Sequence, residues 1–349
     1  MKRITFNKQF MVLMFLLLNC FASYAADENL ITKQITLNLT EAGTLPNKIA
    51  SSRKNLITNL KIIGEINGTD LRFIREMAGS DVKGDSTSGK LSVLDLSEAR
   101  IVKGGDYYGF YCTTSNDIIG NSTFEGCSSL TSVKIPSSVT RIYDSAFEGC
   151  SSLTSVKIPS SVTKIGWYAF KDCSSLTSVN NLSSVTYIGY SVFKGCSSLT
   201  SVNIPSSVTL IDAATFSGCI SLTSVNIPSS VTEIADSVFY DCKGLKSIYV
   251  FAEDVSSISI GTGAFDGCDS KNCTVYVPKG TYEAYWLSEF GYFKNIVEFD
   301  ATSIHNTIAT SEVQETARYA VNGQRLTAPI KGINLVKYSD GTVKKEFVK

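Results

Sequence analysis

The residue types that perform most enzyme chemistry are either scarce in this sequence or repeated at a fixed spacing. The one histidine, His305, lies in a polar stretch, so no histidine-based triad or multi-histidine metal site can form in the rest of the chain. Serine is abundant, but pairs such as Ser128-Ser129 and Ser137-Ser138 recur regularly, which is typical of turns and hydroxyl ladders. No glycine-rich phosphate loop is followed by Lys and Ser or Thr. We therefore predict that the protein is not an enzyme and has no cofactor and no metal site.

Cysteine, the other reactive side chain, also follows a fixed spacing. Most of the ten cysteines occupy one column of the sequence: Cys127, Cys150, Cys173, Cys196, Cys219, Cys242 and Cys268. In a stack of coils these residues would lie about 4.8 Å apart with parallel side chains, whereas a disulfide needs side chains that converge. We therefore predict a buried ladder of free thiols that act as small apolar residues. A disulfide between Cys268 and Cys273 stays open as an alternative.

The cysteine spacing belongs to a longer repeat of 23 residues, with one interval of 26 residues before Cys268. Leu130, Val133 and Ile135 show the Leu-x-x-Val-x-Ile pattern of a leucine-rich-repeat strand, in which alternate side chains point to opposite faces. A proline follows, and a second apolar segment then ends at Phe147. This period predicts a solenoid with one parallel β-strand per coil. Because each coil is stable only between neighbours, both ends of the solenoid need caps.

The columns that vary from coil to coil are the candidate binding surface. They follow the second apolar segment and are rich in Tyr and Trp, which are frequent anchors of interfaces when exposed. We predict that six residues bind the partner: Tyr143, Trp167, Tyr168, Tyr187, Tyr190 and Tyr240. Trp167 and Tyr190 share one column and would form an aromatic platform for a protein or a sugar. The alternative is that some of these rings merely cover the next coil.

The charge of the repeats changes along the chain. The whole chain carries 32 basic and 32 acidic residues, and this balance argues against a nucleic-acid partner. The early repeats are basic and the late repeats acidic, which would orient a charged partner; the alternative is a weakly charged surface. The residues are Lys134, Arg141, Lys157, Lys164, Lys171 and Lys194 in the early repeats, and Asp212, Glu233, Asp236 and Asp241 in the late ones.

The parts of the chain outside the repeats predict an exported protein. A basic start, a short apolar centre and Ser23-Tyr24-Ala25 resemble a signal peptide that is cleaved after Ala25. We expect a helix after Asp70 in the N-terminal cap, and a helix over residues 282–290 that buries Tyr285, Trp286 and Phe290 in the C-terminal cap. The predicted segments are a signal peptide (1–25), a mixed α/β capping region (26–90), the solenoid with its helical C-terminal cap (91–300), a linker (301–316) and a small β module (317–349).

Several motifs resemble one family. The frame IYDSAFEGCSSLTSVKIP (142–159), the lead-in NGTDLRFIREMAG (67–79) and the closing CTVYVPKGTYEAY (273–285) are similar to BspA-type leucine-rich-repeat surface proteins of Bacteroides-group bacteria. That resemblance implies a leucine-rich-repeat solenoid and adhesion to host matrix proteins or to other bacteria. Asp144-Ser145-Ala146 and Asp236-Ser237-Val238 also resemble the short O-glycosylation acceptor of such proteins.

The C-terminal segment YAVNGQRLTAPIKGINLVKYSDGTVKKEFVK resembles the modules that serve as type IX secretion sorting signals. The resulting hypothesis is a secreted or outer-surface protein, acting as a monomer, that binds an extracellular protein or glycan and has no transmembrane segment. A glycan-binding module and a structural spacer of the cell envelope are the alternatives to a protein adhesin.

Overall fold

The computed structural model of the protein describes residues 30–300, 315–320, 325–326, 328, 331–338 and 343–348. The predicted signal peptide, His305 and most of the predicted linker lie outside these residues. The described residues form two compact units: residues 30–277 with 281–297, and residues 278–280 with 298–300 and the C-terminal strands. Within these residues, no helix is long and apolar enough to cross a membrane.

A long sheet runs through the first unit, and each coil contributes one strand to it. In the regular coils the neighbouring strands are parallel and in register, so that Val133 lies beside Val156 and Lys157 beside Asn180. The valines of these strands are buried and the residues on either side of them point outward. The eleven strands, in order, are Ile35–Leu39, Asn59–Ile66, Val93–Ile101, Ser132–Lys134, Ser155–Lys157, Ser178–Asn180, Ser201–Asn203, Ser224–Ile227, Ser247–Val250, Thr274–Pro278 and Asn295–Phe299.

In the seven coils that begin with the strands from Val93–Ile101 to Ser247–Val250, the chain then turns back through a second strand of two residues. These strands are also parallel, and their second residue, such as Ile142 or Ile165, is buried in all of them except the last, where Ile260 is partly buried. Four of them make one short sheet: Ile118–Ile119, Arg141–Ile142, Lys164–Ile165 and Tyr187–Ile188. Three make another: Leu210–Ile211, Glu233–Ile234 and Ser259–Ile260. The predicted solenoid of parallel coils is therefore confirmed.

The core of the solenoid lies between the long sheet and the two short sheets. A row of phenylalanine rings runs through it, and successive centroids are 5.1 to 5.7 Å apart with interplanar angles of 5° to 25°. The rings belong to Phe124, Phe147, Phe170, Phe193, Phe216, Phe239 and Phe265. Because each ring stacks on the ring of the adjacent coil, this row couples the stability of neighbouring coils.

Hydroxyl groups join the coils at the edges of the core, as the serine columns predict. Ser174 donates to the carbonyl of Ser151 at 3.3 Å, and Ser197 donates to that of Ser174 at 3.2 Å. A threonine column, which the sequence analysis does not single out, does the same: Thr154 and Thr177 each donate to the carbonyl one coil earlier at 3.0 Å. The abundant hydroxyls therefore satisfy backbone acceptors between coils.

The N-terminal region adds strands to the long sheet and one substantial helix, Gly68–Met77. The predicted N-cap is wrong by three residues, since Asn67 caps the helix and Asp70 stands inside it. Asn67 accepts from the Thr69 N–H at 3.0 Å, and the Asp70 carboxylate accepts from the Asn67 N–H at 2.9 Å, which together make a capping box. A short helix at Leu45–Lys48 and a 3-10 turn at Lys54–Leu56 complete the region.

The helix Gly68–Met77 also carries a buried cation that joins the region to the first coil. Arg75 is 2% exposed. Its guanidinium donates to the carbonyl of Ser122 at 2.5 Å, to the carbonyl of Asp81 at 3.0 Å and to the Ser80 hydroxyl at 3.1 Å. Backbone carbonyls, which carry partial negative charge, therefore stabilise this buried guanidinium.

The C-terminal end of the solenoid is covered by two short helical pieces. The helix is Tyr282–Trp286 and a 3-10 turn follows at Glu289–Tyr292, so the predicted single helix over 282–290 is interrupted. Tyr285 and Phe290 are buried, as predicted, but Trp286 is 43% exposed, and its predicted burial is wrong. A further 3-10 turn, Val255–Ser257, lies in the coil of 26 residues.

The C-terminal strands form an antiparallel sheet of their own. The spatial order is Arg325–Leu326, Glu315–Ala320, Gly332–Tyr338 and Val343–Val348. The last two strands pair with each other, with Lys337 beside Val343. The first strand begins at Glu315, two residues before the predicted module boundary.

Candidate functional site

A left-handed backbone turn presents the variable residues in every coil. It follows the short strand, and at equivalent positions φ is 55° at Ser145, 58° at Tyr168, 53° at Ser191 and 53° at Ala214. A bulky side chain is unfavourable in this region of backbone conformation. Tyr168 is therefore unusual, because the other coils place a small residue where this coil carries a large ring.

Trp167 and Tyr187, on successive coils, form the first pair of predicted site residues that the structure joins. The indole N–H of Trp167 donates to the Tyr187 hydroxyl at 3.0 Å. The indole lies over Gly189, where a Cβ atom would come within 2.6 Å of its Cδ1. The backbone N–H of Trp167 donates to Asp144 at 2.8 Å. Both ends of the residue are thus held, while half of the side chain, 51%, stays exposed.

Tyr168 and Tyr190 form the second pair. Their ring centroids are 5.2 Å apart at 88°, an edge-to-face contact. The ammonium group of Lys171 lies 5.3 Å from the centroid of the Tyr168 ring and 2.7 Å from the Glu148 carboxylate. Desolvation, followed by the neighbouring Tyr190, raises the pKa of the Tyr168 phenol above its ordinary value. These contacts fix the ring of Tyr168 against the surface.

Trp167 and Tyr190 occupy one column, as predicted, but their rings contact different partners. Trp167 contacts Tyr187 and Tyr190 contacts Tyr168, and no ring contact joins Trp167 to Tyr190 in the described part of the chain. The predicted platform of Trp167 with Tyr190 is therefore replaced by two pairs. We call the five residues Tyr143, Trp167, Tyr168, Tyr187 and Tyr190 the aromatic ridge.

Tyr143 connects the aromatic ridge to a concavity that the sequence analysis missed. The concavity has a volume of about 360 Å³. Its other walls come from the Gly- and Tyr-rich insertion before the first regular coil and from that coil itself. They are Tyr108, Phe110, Tyr111, Cys112, Thr113, Ser115, Ile118, Gly120 and Asn121. Phe110 and Tyr111 are 74% and 76% exposed, far more than ordinary core aromatics. The dense run of aromatic residues in this insertion is the sequence feature from which the concavity could have been predicted.

Tyr240, the sixth predicted residue, is not brought to the aromatic ridge. It is half exposed, and it stands three coils beyond Lys171 in the same column. At about 4.8 Å per coil, that places it roughly 14 Å further along the stack. Tyr240 is therefore an exposed ring that lies outside the aromatic ridge.

Asp144 and Asp236, from the two segments that resemble glycosylation acceptors, bind the following coil instead of pointing freely outward. Asp144 accepts from the Trp167 N–H, and Asp236 accepts from the Thr262 N–H at 2.7 Å. The Ser145 hydroxyl donates to Glu148 at 2.7 Å. Glycosylation at Ser145 or Ser237 stays a hypothesis.

The predicted thiol ladder is present, and its thiols from Cys150 to Cys268 each donate to a backbone carbonyl. Cys173 donates to the carbonyl of Phe147 at 3.1 Å and Cys196 to that of Phe170 at 3.1 Å, and this pattern continues along the column. Burial raises the pKa of Cys219 to about 12, so this thiol is protonated at neutral pH. Cys268 and Cys273, the alternative disulfide pair, are both free. Among the described residues, no group of three His, Cys, Asp or Glu side chains has an arrangement that holds a metal.

The coils, the parallel register and the Leu-x-x-Val-x-Ile strands define a leucine-rich-repeat solenoid. The sequence matches the family model of the BspA type leucine rich repeat region over residues 110–223 and 211–322, which together cover more than half of the chain. The protein therefore belongs to the BspA-type leucine-rich-repeat family.

Several solved structures are similar to this chain, while no curated protein matches it. The leucine rich repeat protein of T. pallidum is 33% identical, with 46% of this chain and 73% of that chain covered and a TM-score of 0.40. A leucine-rich repeat protein from Bacteroides ovatus is 21% identical, with coverage of 76% and 69% and a TM-score of 0.39. The pneumococcal vaccine antigen PcpA is 14% identical, with coverage of 70% and 69% and a TM-score of 0.42.

Proposed function

We propose that the protein is a non-catalytic adhesion protein that binds an extracellular macromolecule through the aromatic ridge. The observation that carries this proposal is the half-exposed indole of Trp167, which is fixed by Tyr187 and Gly189 in the middle of the ridge. Large aromatic side chains that are exposed and already ordered lose little entropy on binding, which makes them effective anchors.

The arrangement of the ridge on the solenoid supports this proposal. Tyr143, Trp167 and Tyr187 come from three consecutive coils, and the paired strands set these coils about 4.8 Å apart. The core of stacked phenylalanines and the hydroxyl ladders hold the coils rigidly beneath the rings. A ligand therefore meets a pre-organised surface and pays little to order it.

The cellular setting is part of the same proposal. The predicted signal peptide supports export, and the resemblance of the C-terminal strands to type IX sorting modules supports display at the outer surface. We propose that the protein acts as a monomer and that matrix proteins, surface proteins of other bacteria or glycans are its ligands. The outward-facing residues of the long-sheet strands, such as Ser155, Lys157 and Asn180, would then be solvent-facing surface.

The test measures binding of the purified chain to immobilised collagen, laminin, fibronectin, dextran and chondroitin sulfate. The ridge variant Tyr143→Ala/Trp167→Ala is compared with Tyr240→Ala/Trp286→Ala, which removes one Tyr and one Trp that are exposed outside the ridge. We expect saturable binding to at least one ligand, lost in the ridge variant and kept in the control. Binding that survives in a folded ridge variant, or no binding to any ligand, would overturn the proposal.

A further inference from the structure

We infer that the aromatic ridge recognises an acidic polysaccharide, whose sugar faces pack on the rings while its carboxylate or sulfate groups contact Arg141 and Lys164. This inference rests on the proposed function, because it names the ligand class for the same surface. It is carried by the position and the unpaired state of these two cations.

Arg141 and Lys164 lie side by side at the edge of the ridge. They are direct partners in the short sheet, and Tyr187 is the next residue in the same row. Both cations are exposed. On each coil the side chains alternate, so Arg141 and Tyr143 point outward while Ile142 between them is fully buried. The cations therefore flank the ridge and face the same solvent.

Neither cation is neutralised, in contrast to Lys134 and Lys171 of the early coils. Lys134 forms an ion pair with Asp95 at 2.7 Å, and Lys171 forms one with Glu148 at 2.7 Å. Arg141 and Lys164 have no ion pair among the described residues. Two like charges directly opposite each other on neighbouring strands destabilise the sheet. An anionic ligand would remove that repulsion, so this row should prefer an anionic ligand to a neutral one.

The chemistry around the cations favours a sugar polymer over an acidic protein segment. The row beside them consists of Thr140, Thr163 and Thr186, all exposed. The centre of a protein interface is apolar and contains few charged residues. In the 23-residue coils the exposed aliphatic residue is Ile220, which lies in a different column from the two cations. The surface around the cations therefore lacks the aliphatic centre of a protein interface. Aromatic faces, hydroxyls and exposed cations are the groups that the apolar face, hydroxyls and anionic substituents of a polysaccharide contact.

The test compares Arg141→Gln/Lys164→Gln with Lys157→Gln/Lys194→Gln. The second variant removes two exposed cations that also lack an ion pair in the described structure but lie outside the ridge. The probes are chondroitin sulfate, hyaluronan, neutral dextran and poly-glutamate. Chondroitin sulfate carries sulfate and carboxylate groups, and hyaluronan carries carboxylate groups alone.

We expect the unmodified chain to bind chondroitin sulfate or hyaluronan and to bind dextran and poly-glutamate at least ~10-fold more weakly. Loss of Arg141 and Lys164 should weaken binding ~10-fold or more, and loss of Lys157 and Lys194 less than ~3-fold. Equal losses in the two variants, no binding to either acidic polysaccharide, or equally tight binding to dextran would overturn the inference. Equally tight binding to poly-glutamate would overturn it in favour of an acidic protein partner.

These outcomes are separable from failure of the proposed function. Suppose that a matrix protein binds the unmodified chain, and that this binding is lost in Tyr143→Ala/Trp167→Ala but kept in Arg141→Gln/Lys164→Gln. The proposed function then stands, and the acidic-polysaccharide inference fails. If the acidic polysaccharides bind but are unaffected by the ridge variant, both fail.

Discussion

The indole N–H of Trp167 donates to the hydroxyl of Tyr187 at 3.0 Å, across the boundary between two coils. The Tyr187 hydroxyl in turn lies 3.5 Å from Asp212 on the next coil, to which it donates. This chain of hydrogen bonds orients an exposed ring by groups on the two coils that follow it. The exposed aromatic surface is thus part of the inter-coil bonding and not a set of independent side chains.

Tyr187→Phe should loosen the indole of Trp167 without unfolding the protein. The variant removes only the hydroxyl, and the freed indole N–H can donate to water, so we expect the free energy of unfolding to change by less than ~1.5 kcal/mol. In a Trp286→Phe background the emission of Trp167 should shift to longer wavelength, and ligand binding should weaken. Tyr240→Phe is the control, and identical spectra for both variants would show that the hydrogen bond does not order the indole.

Tyr168→Ser should separate stability from binding. The equivalent residue is Ser145 one coil earlier and Ser191 one coil later, at nearly the same φ. Removing a bulky residue from the left-handed region offsets the lost contact with Tyr190, so stability should stay within about 1 kcal/mol of the original. Binding should fall several-fold. A loss of more than 3 kcal/mol in urea denaturation, with binding retained, would assign Tyr168 to structure instead of recognition.

The thiol ladder should make stability fall steeply at alkaline pH. Burial raises the pKa of Cys127, Cys219 and Cys268 from 9.0 to about 12 in the folded protein. The unfolded chain therefore loses these protons first, so the stabilisation is complete below pH 9 and is lost as the pH rises toward 12. Between these values each thiol lowers the free energy of unfolding by about 1.4 kcal/mol per pH unit.

Urea denaturation at pH 8 and pH 10.5 measures this dependence. Cys219→Ala should reduce the pH slope by the share of one thiol, whereas Leu222→Ala, an equally buried truncation without a titrating group, should lower stability and keep the slope. The same slope in both variants would contradict the assignment.

Arg75→Lys should loosen the N-terminal cap. A lysine lacks the guanidinium fork that reaches the carbonyls of Ser122 and Asp81 together, so these partly buried acceptors lose their donors. We expect a loss of about 2–4 kcal/mol in the free energy of unfolding, from one or two acceptors left unsatisfied. Arg72→Lys on the same helix is the control, because Arg72 is exposed and forms only a 3.8 Å pair with Glu76. Equal stability of the two variants would refute the role of Arg75.

The repeat made most of the fold predictable, because each column has one structural task. The columns of Leu130, Val133, Phe147 and Cys127 are buried in the core where the pattern placed them. Asn181 shows the limit of the pattern. It replaces the strand isoleucine, adopts φ 67° and donates to the carbonyl of Ile158 at 2.8 Å, so that Leu182 enters the core. The repeat pattern gives the residue that is usual at a position, but it does not predict a local change of backbone direction such as the one at Asn181.

The candidate site was less predictable than the fold. The identity of the exposed columns followed from spacing, but the direction of each ring did not. Trp167 and Tyr190 have separate partners because Gly189 leaves room for the indole of Trp167, while the ring of Tyr168 packs against that of Tyr190. Phe110 and Tyr111 were not predicted as site residues because they lie in an insertion that has no equivalent in the other coils. Trp286 was expected inside because its neighbours Tyr285 and Phe290 are, but the helix ends at that residue and leaves it exposed.

Fluorescence of Trp167 tests the central claim most directly, because the chain has two tryptophans and only Trp167 lies on the ridge. Trp286→Phe leaves Trp167 as the sole reporter, and Trp167→Phe leaves Trp286. In a titration with chondroitin sulfate, we expect a saturable change of emission in Trp286→Phe and none in Trp167→Phe at equal occupancy. A saturable change in Trp167→Phe alone, with a silent Trp167, would place the binding surface away from the aromatic ridge and contradict the account.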